Sequence, residues 1–319
     1  MKNVRNNILR IKFIALGLVL ALISALFTSC VKKPQFAEGT FFAMGTLVQV
    51  TLPIESRGEL KNITRLIDEL SHQVTTATEE INSGGNRELD PFMCGLMKRG
   101  EEYRKISSGR FNTAVYTLLE LYGFPEGRDV SHEDKAHALK IIEKGVIVFE
   151  ENGRCYANAN GGKIDLGAFA KGAIVDEVVR YLHSVGVRDF IVNAGGDLYA
   201  SGSKNGAKWR LGIRNPQDKN SVAQVVELSD KALATSGTYE RYFIGENGEK
   251  ISHLVNALTG EQGDLYVSLS VEAETTEKAD ALATVYFFMT EGEIKSRCRQ
   301  DNVKVWAISD DNVVKSLCK

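Results

Sequence analysis

Along residues 40–308 the apolar periodicity switches between the strand and helix patterns without settling into a β-α-β repeat, which points to an α+β chain. Residues 40–52 are rich in aromatic and β-branched side chains and predict a strand. Leu60, Ile63, Leu66, Ile67, Leu70 and Val74 recur at helical spacing and predict a helix over 58–74. The polar stretch 75–86, ending in Gly84-Gly85-Asn86, reads as a loop. A helix over 92–106 is stopped by Gly109, and strands at 146–150 and 154–157 flank the hairpin signal Asn152-Gly153. After Asp165 a long amphipathic helix turns Ile174, Val175, Val178, Val179, Leu182 and Val185 inward and ends at Gly186. A short buried strand at 190–192 follows, then strands near 209–213, 222–228, 239–244 and 265–272. A last substantial helix covers 276–289, and a strand at 303–308 closes the chain. No Pro- or Ser-rich stretch divides residues 40–319, so one domain with mixed or antiparallel sheets and packed helices is expected.

The first thirty residues are a separate object. Lys2, Arg5, Arg10 and Lys12 precede a nearly unbroken apolar run at 13–27, too short for the ~20 residues of a spanning helix. This is the pattern of a secretory signal. Leu26-Phe27-Thr28-Ser29-Cys30 resembles a bacterial lipobox with Phe27 in the usual leucine position, so Cys30 is the expected lipidation site. An ordinary signal peptide that ends near a cysteine is the competing reading. The expected organisation is a leader at 1–29, a lipidated linker at 30–39 and a folded domain at 40–319, exported and held to a bacterial membrane by its lipid.

The formal charge is −2, and removing residues 1–29 takes away four positive charges and no negative one. The remainder is acidic and lacks the clustered basic face that nucleic-acid binding needs. Cys94, Cys155, Cys298 and Cys318 show neither CxxC nor zinc-ligand spacing. Their pairing cannot be read from the chain, and free, partly buried thiols are at least as well supported as disulfides.

Five stretches carry residues suited to chemistry. Gly161-Gly162 lead through Asp165, Gly167 and Ala168 to a helix start carrying Lys171, an arrangement that fits either an anion cradle or a loop packed for steric reasons. It matches neither the P-loop nor the dinucleotide fingerprint. Asn193-Ala194-Gly195-Gly196-Asp197 permits close backbone approach by a ligand, or is a plain hairpin turn. Over 236–242, strand alternation places Tyr239 and Arg241 on one face, where Arg241 meets either a phosphate or a salt-bridge partner. His253 stands beside the turn containing Asn256 and Thr259-Gly260 and is a candidate general base or a structural histidine. Asp280 and Thr284, four apart, share one helix face between the small residues Ala279, Ala281 and Ala283. A carboxylate and a hydroxyl so placed form half of a hard-oxygen Mg²⁺ site; the alternative is a first-turn Asp facing the helix dipole and a Thr bonded back to its own chain.

Together these stretches resemble the ApbE family of FAD:protein FMN transferases. The resemblance runs in order through Met44-Gly45-Thr46, Phe111-Asn112-Thr113-Ala114-Val115, Asp165 to Gly172 followed by Asp176, Gly195-Gly196-Asp197, Ser236-Gly237 with Tyr239 and Arg241, Ser252-His253 through Thr259-Gly260, and Ala279 to Thr284. It implies a tunnelling-type α+β catalytic domain with FAD, the substrate, in a cleft between sheet and helices. Mg²⁺ would be held by the Ala168 carbonyl and the side chains of Asp280 and Thr284. FAD would meet Met44, Arg110, Phe111, Asn112, Asp165, Lys171 and the neighbourhood of Leu254, and His253 stands where the family's proposed base lies. The implied reaction moves FMN to a Thr or Ser hydroxyl of an acceptor protein, such as a subunit of a membrane redox complex, and releases AMP. Hydrolysis of FAD to FMN and AMP at the same site, and non-catalytic flavin binding by a lipoprotein, are the alternatives. Asn112 replaces a more usual Asp, Thr117 and Ala257 replace usual prolines, and the segment 73–78, expected as a flavin-side loop, lacks an aromatic residue.

Overall fold

Positive φ at two consecutive residues, Met44 (53°) and Gly45 (69°), breaks the expected strand over 40–52 into a hairpin. Two left-handed residues are what a two-residue turn between twisted strands demands, and Met44 gives no sequence sign of it. The arms, numbered with all other elements in chain order, are β1 (Phe36–Ala43) and β2 (Thr46–Pro53). The computed structural model describes residues 35–124, 127–128, 130–218, 220–239, 242–244 and 250–318. The leader and Cys30 therefore lie outside the described residues. Strand β1 begins inside the stretch read as a linker, and Phe36–Lys319 is one compact unit.

The hairpin opens an eight-stranded sheet that continues through β6 (Phe190–Ala194), β7 (Asp197–Ser201), β10 (Lys231–Gly237), β13 (Ser268–Ala273), β14 (Lys304–Ile308) and β15 (Val314–Cys318). Every neighbouring pair in it is antiparallel. A smaller sheet joins β3 (Arg87–Leu89), β5 (Arg154–Asn158) and β4 (Ile147–Glu151). The pairs β8 (Trp209–Arg214) with β9 (Val222–Leu228) and β11 (Tyr242–Ile244) with β12 (Lys250–Ser252) complete the strands. Antiparallel sheets with segregated helices make this the expected α+β fold.

Helix α1 (Glu59–Asn82) runs two turns past its predicted end, because Ile81 is fully buried and extends the apolar stripe through a polar segment. Residues 73–78 are thus helical and form no loop. Helix α2 (Pro91–Ile106) starts as predicted: Asp90 caps it by accepting from the Met93 amide, with Pro91 in the first turn. Two helices the sequence reading passed over follow, α3 (Tyr116–Leu121) and α4 (His132–Glu143). The predicted amphipathic helix is α5 (Ala170–Ser184), inward-facing as expected except at Val185, which is exposed.

Helix α6 (Thr276–Phe287) is buried around its whole circumference, with Ala279, Ala281 and Ala283 shielded completely. Small residues let it lie close to α5, β10 and β13. It is not the last helix, nor is β14 the last strand, since α7 (Glu291–Asp301) and β15 follow. The strand expected at 239–244 is confined to β11; Thr238 and Tyr239 form a turn after β10, and Glu240 and Arg241 lie outside the described residues. The pairing left open for the four cysteines is given by the structure: Cys94 pairs with Cys155, and Cys298 with Cys318. Among the described residues no helix is long and apolar enough to cross a membrane.

Candidate active site

Antiparallel order brings the β1–β2 turn, the β6–β7 turn and the last residues of β10 to the same end of the large sheet. Gly195 and Gly196 make the second turn with φ of 68° and 110°. The Gly195 amide donates to the Leu47 carbonyl at 3.1 Å. A Cβ on Gly195 would come within 3.1 Å of the Thr46 Cβ, so glycine is needed for both conformation and space. These turns, the loop before α5, residues 253–255 and one face of α6 enclose a cavity of about 480 Å³.

Part of the cavity lining is polar. Lys171, on the first turn of α5, donates to the Gly167 carbonyl at 2.8 Å and faces two carboxylates, Asp197 Oδ2 at 3.1 Å and Asp280 Oδ2 at 3.6 Å. Asp280 Oδ2 also accepts from the Gly172 amide at 3.2 Å. Burial, and then the Asp197 carboxylate, push the Asp280 carboxyl well above the ordinary aspartate range, while Lys171 and the Gly172 amide pull it down. One turn along α6 the Thr284 hydroxyl shares a hydrogen bond of 3.1 Å with Ser236 on β10. The mundane readings of this pair therefore fail: Asp280 is past the first turn and bonds across to α5, and Thr284 bonds across to a strand. Asp165, whose Oδ1 accepts from the Gly167 amide at 2.6 Å, and Ala168 also line the cavity.

The lining also includes the apolar and aromatic residues Phe111, Val115, Tyr116, Leu119, Phe124, Leu254, Val255 and Phe288. Phe111 packs edge-on against Tyr103 and Phe169, with ring centroids 6.1 and 5.9 Å away. His253 lines the cavity with its ring 6.5 Å from that of Phe124. The turn that follows it is held by Asn256, whose carbonyl accepts from the Gly260 amide at 2.7 Å, and by Tyr122, which donates to the Gly260 carbonyl at 2.6 Å.

Asn112 lines the cavity while its side chain serves the backbone. Its Nδ2 donates to the Ile142 carbonyl at 2.9 Å and its Oδ1 accepts from the Ala114 amide at 2.9 Å. An ionised Asp could not make the first of these bonds, which explains how asparagine is accommodated here.

The cavity thus gathers His253, Phe111, Asn112, Asp165, Ala168, Lys171, Leu254, Asp280 and Thr284. It does not gather Met44, which occupies the β1–β2 turn and packs against the core beside the cavity-lining Gly45 and Thr46. Nor does it include Arg110, whose guanidinium pairs with Glu293 at 2.9 Å and whose carbonyl accepts from the Ala257 amide. Sequence reading named Asp197, Thr46 and Ser236 only within motifs, with no role for their side chains, and passed over Tyr116 and Phe288. Phe288 was within reach, because it continues the four-residue spacing of Asp280 and Thr284.

This antiparallel α+β fold has solved counterparts. The ApbE protein of Thermotoga maritima superposes with a TM-score of 0.81 at 28% identity, covering 88% of this chain and 97% of that one. A Vibrio cholerae protein named FAD:protein FMN transferase is 30% identical over 243 residues, 72% of each chain. A Rhodobacter capsulatus protein of the same name is 29% identical over 94% of this chain, which spans only 60% of that longer relative. The sequence profile of the ApbE family matches residues 44–307, from the β1–β2 turn to β14, and so takes in every cavity-lining residue. The chain belongs to the ApbE family.

Proposed function

We propose that this chain transfers FMN from FAD to a Thr or Ser hydroxyl of an acceptor protein and releases AMP. The observation that carries the reading is the convergence of Asp197, Asp280 and Lys171 in a cavity that Thr284 and several aromatic residues also line. The aromatic residues suit a flat ring system, and the volume falls within the roughly 300–1,000 Å³ range of small-molecule sites.

The donor set fits Mg²⁺. Two buried carboxylates share one ammonium, which leaves the cluster short of positive charge before a diphosphate arrives. Among the described residues no group of three or more His, Cys, Asp or Glu could hold a metal unaided. Asp280, Thr284 and the Ala168 carbonyl would instead hold it with positions left for water and phosphate oxygens, as Mg²⁺ prefers. When bound, the ion neutralises charge developing on the diphosphate. Lys171 opposes the upward pull of burial and Asp197 on the Asp280 carboxyl, and Ser236 holds the Thr284 hydroxyl by a hydrogen bond. His253 accepts the acceptor's hydroxyl proton on an imidazole nitrogen as that oxygen attacks the FMN phosphorus. The bond from that phosphorus to the AMP oxygen breaks, and AMP leaves.

The two disulfides suit an oxidising compartment, which supports export of the chain. The test is mass spectrometry of a Thr-containing acceptor peptide incubated with the protein, FAD and MgCl₂, with AMP measured in parallel. A mass gain of one FMN per AMP released is the expected result. Free FMN and AMP with an unmodified peptide would make the chain a pyrophosphatase, and intact bound FAD would make it a carrier.

A further inference from the structure

Helix α6 carries two of the three groups placed at the metal, so whatever fixes α6 fixes their geometry. Beyond the amide of its cap residue Thr275, the first turn has three backbone amides without i→i−4 partners inside the helix, those of Thr276, Glu277 and Lys278. Thr275 meets one of them: its hydroxyl accepts from the Lys278 amide at 3.3 Å, while its carbonyl takes the first regular helical bond from the Ala279 amide at 3.1 Å. The other two amides are met from a different helix. Asp176, on α5, accepts from the Thr276 amide through Oδ1 at 2.7 Å and from the Glu277 amide through Oδ2 at 2.9 Å.

Both carboxylate oxygens of one residue are thus committed to consecutive amides of a neighbouring helix. One turn earlier on α5, a Cβ on Gly172 would lie 2.5 Å from the Thr276 carbonyl oxygen and 2.7 Å from the Glu277 Cα. The two helices therefore touch backbone to backbone, and the Gly172 amide reaches the Asp280 carboxylate itself. Asp176 is not among the residues lining the catalytic cavity. It faces a separate groove together with Arg99, Tyr103 and Glu277.

We propose that Asp176 is a positioning residue for the transfer reaction, clamping the first turn of α6 to α5 so that Asp280 and Thr284 stand at the distance from the Ala168 carbonyl, in the loop before α5, that the metal requires. Thr275 already provides a side-chain cap, so the distinctive contribution of Asp176 is the link between helices rather than the start of α6. This inference rests on the metal reading given above. Loss of the clamp lets α6 shift by a fraction of an ångström, which metal coordination registers more sharply than flavin contacts do.

The test compares the wild type with Asp176→Asn, Asp176→Glu and Thr275→Ala. Folding is checked by circular dichroism, Mn²⁺ binding is followed by electron paramagnetic resonance, and turnover is resolved into kcat and the KM for FAD. Asn replaces one acceptor by a donor, and Glu keeps both oxygens but adds a methylene that displaces them. Both Asp176 variants are expected to raise the Mn²⁺ midpoint and to lower kcat, each by about tenfold or more, with the KM for FAD within about twofold of wild type. Thr275→Ala is expected to lower the melting temperature yet leave the Mn²⁺ midpoint unchanged. Asp176 variants that fold and bind Mn²⁺ like the wild type overturn the inference, as does an equal shift of the midpoint in Thr275→Ala. A wild type that transfers FMN without binding Mn²⁺ overturns the metal reading itself and the inference with it.

Discussion

Asp197 and Asp280, brought together from a strand and a helix, present their carboxylates to the same ammonium, that of Lys171, at 3.1 and 3.6 Å. The lysine is the cluster's internal counter-charge, and its removal tests how far the pair depends on it. Lys171→Met is predicted to destabilise the metal-free protein by about 2–3 kcal/mol, less than for a fully buried pair because the lysine is partly exposed. Added MgCl₂ should recover more stability in the variant than in the wild type. Urea unfolding with EDTA or with MgCl₂ measures both, and a variant as stable as wild type in EDTA would contradict the arrangement.

His253 lines the cavity with its ring beside that of Phe124. His253→Ala is predicted to slow FMN transfer by roughly 10²- to 10⁴-fold, the usual range for a general base. FAD affinity, read by flavin fluorescence, should change little. Equal losses of binding and transfer would make the histidine a binding residue.

Glu277 gives a pH dependence of stability. Its burial raises the carboxyl above the ordinary glutamate value, with the Arg99 hydrogen bond opposing. The folded state then holds this proton more tightly than the unfolded chain does. The stability it contributes is complete below the ordinary value of 4.5 and is lost as pH rises through the higher folded value. In EDTA, the stability of wild type relative to Glu277→Gln should therefore increase as pH is lowered from about 7 to about 5. A gap that stays constant or moves the other way would show that burial does not govern this carboxyl.

The disulfides differ in the length of chain they close. Cys94 and Cys155 are 61 residues apart, Cys298 and Cys318 only 20. By chain entropy, removing the first costs about 4 kcal/mol and removing the second about 3 kcal/mol. Paired Cys→Ser variants, compared by urea unfolding, should rank in that order; the reverse order would mean that native-state packing outweighs the loop term.

The sequence announced strong periodicity and missed small residues. Helices α2 and α5 are legible because caps, apolar spacing and stop signals agree. Strand β10, with the sequence Lys-Ala-Leu-Ala-Thr-Ser-Gly, carries almost no hydrophobic signal and is buried on both faces. Its side chains are small because α6 lies directly on it. That close approach also joins Ser236 to Thr284, so the packing that makes this contact is the packing that hides the strand. Helix α7 did carry a legible signal, the capping box of Thr290 and Glu293, which the sequence reading passed over. Asp280 and Thr284 were found from spacing on one helix. The partnership of Asp197, Lys171 and Asp280 was not, because it joins positions far apart in the chain that only the sheet order brings together.

The central claim is that Asp280 anchors a metal-dependent transfer of FMN. The direct measurement is in-gel flavin fluorescence of an acceptor protein incubated with FAD, MgCl₂ and either wild type or Asp280→Asn, each with and without EDTA. Asparagine keeps the size of the side chain and removes its charge. The account predicts a fluorescent acceptor with the wild type alone, abolished by EDTA and reduced at least about 100-fold by the substitution. An acceptor labelled at the wild-type rate by Asp280→Asn, or by the wild type in EDTA, would contradict it.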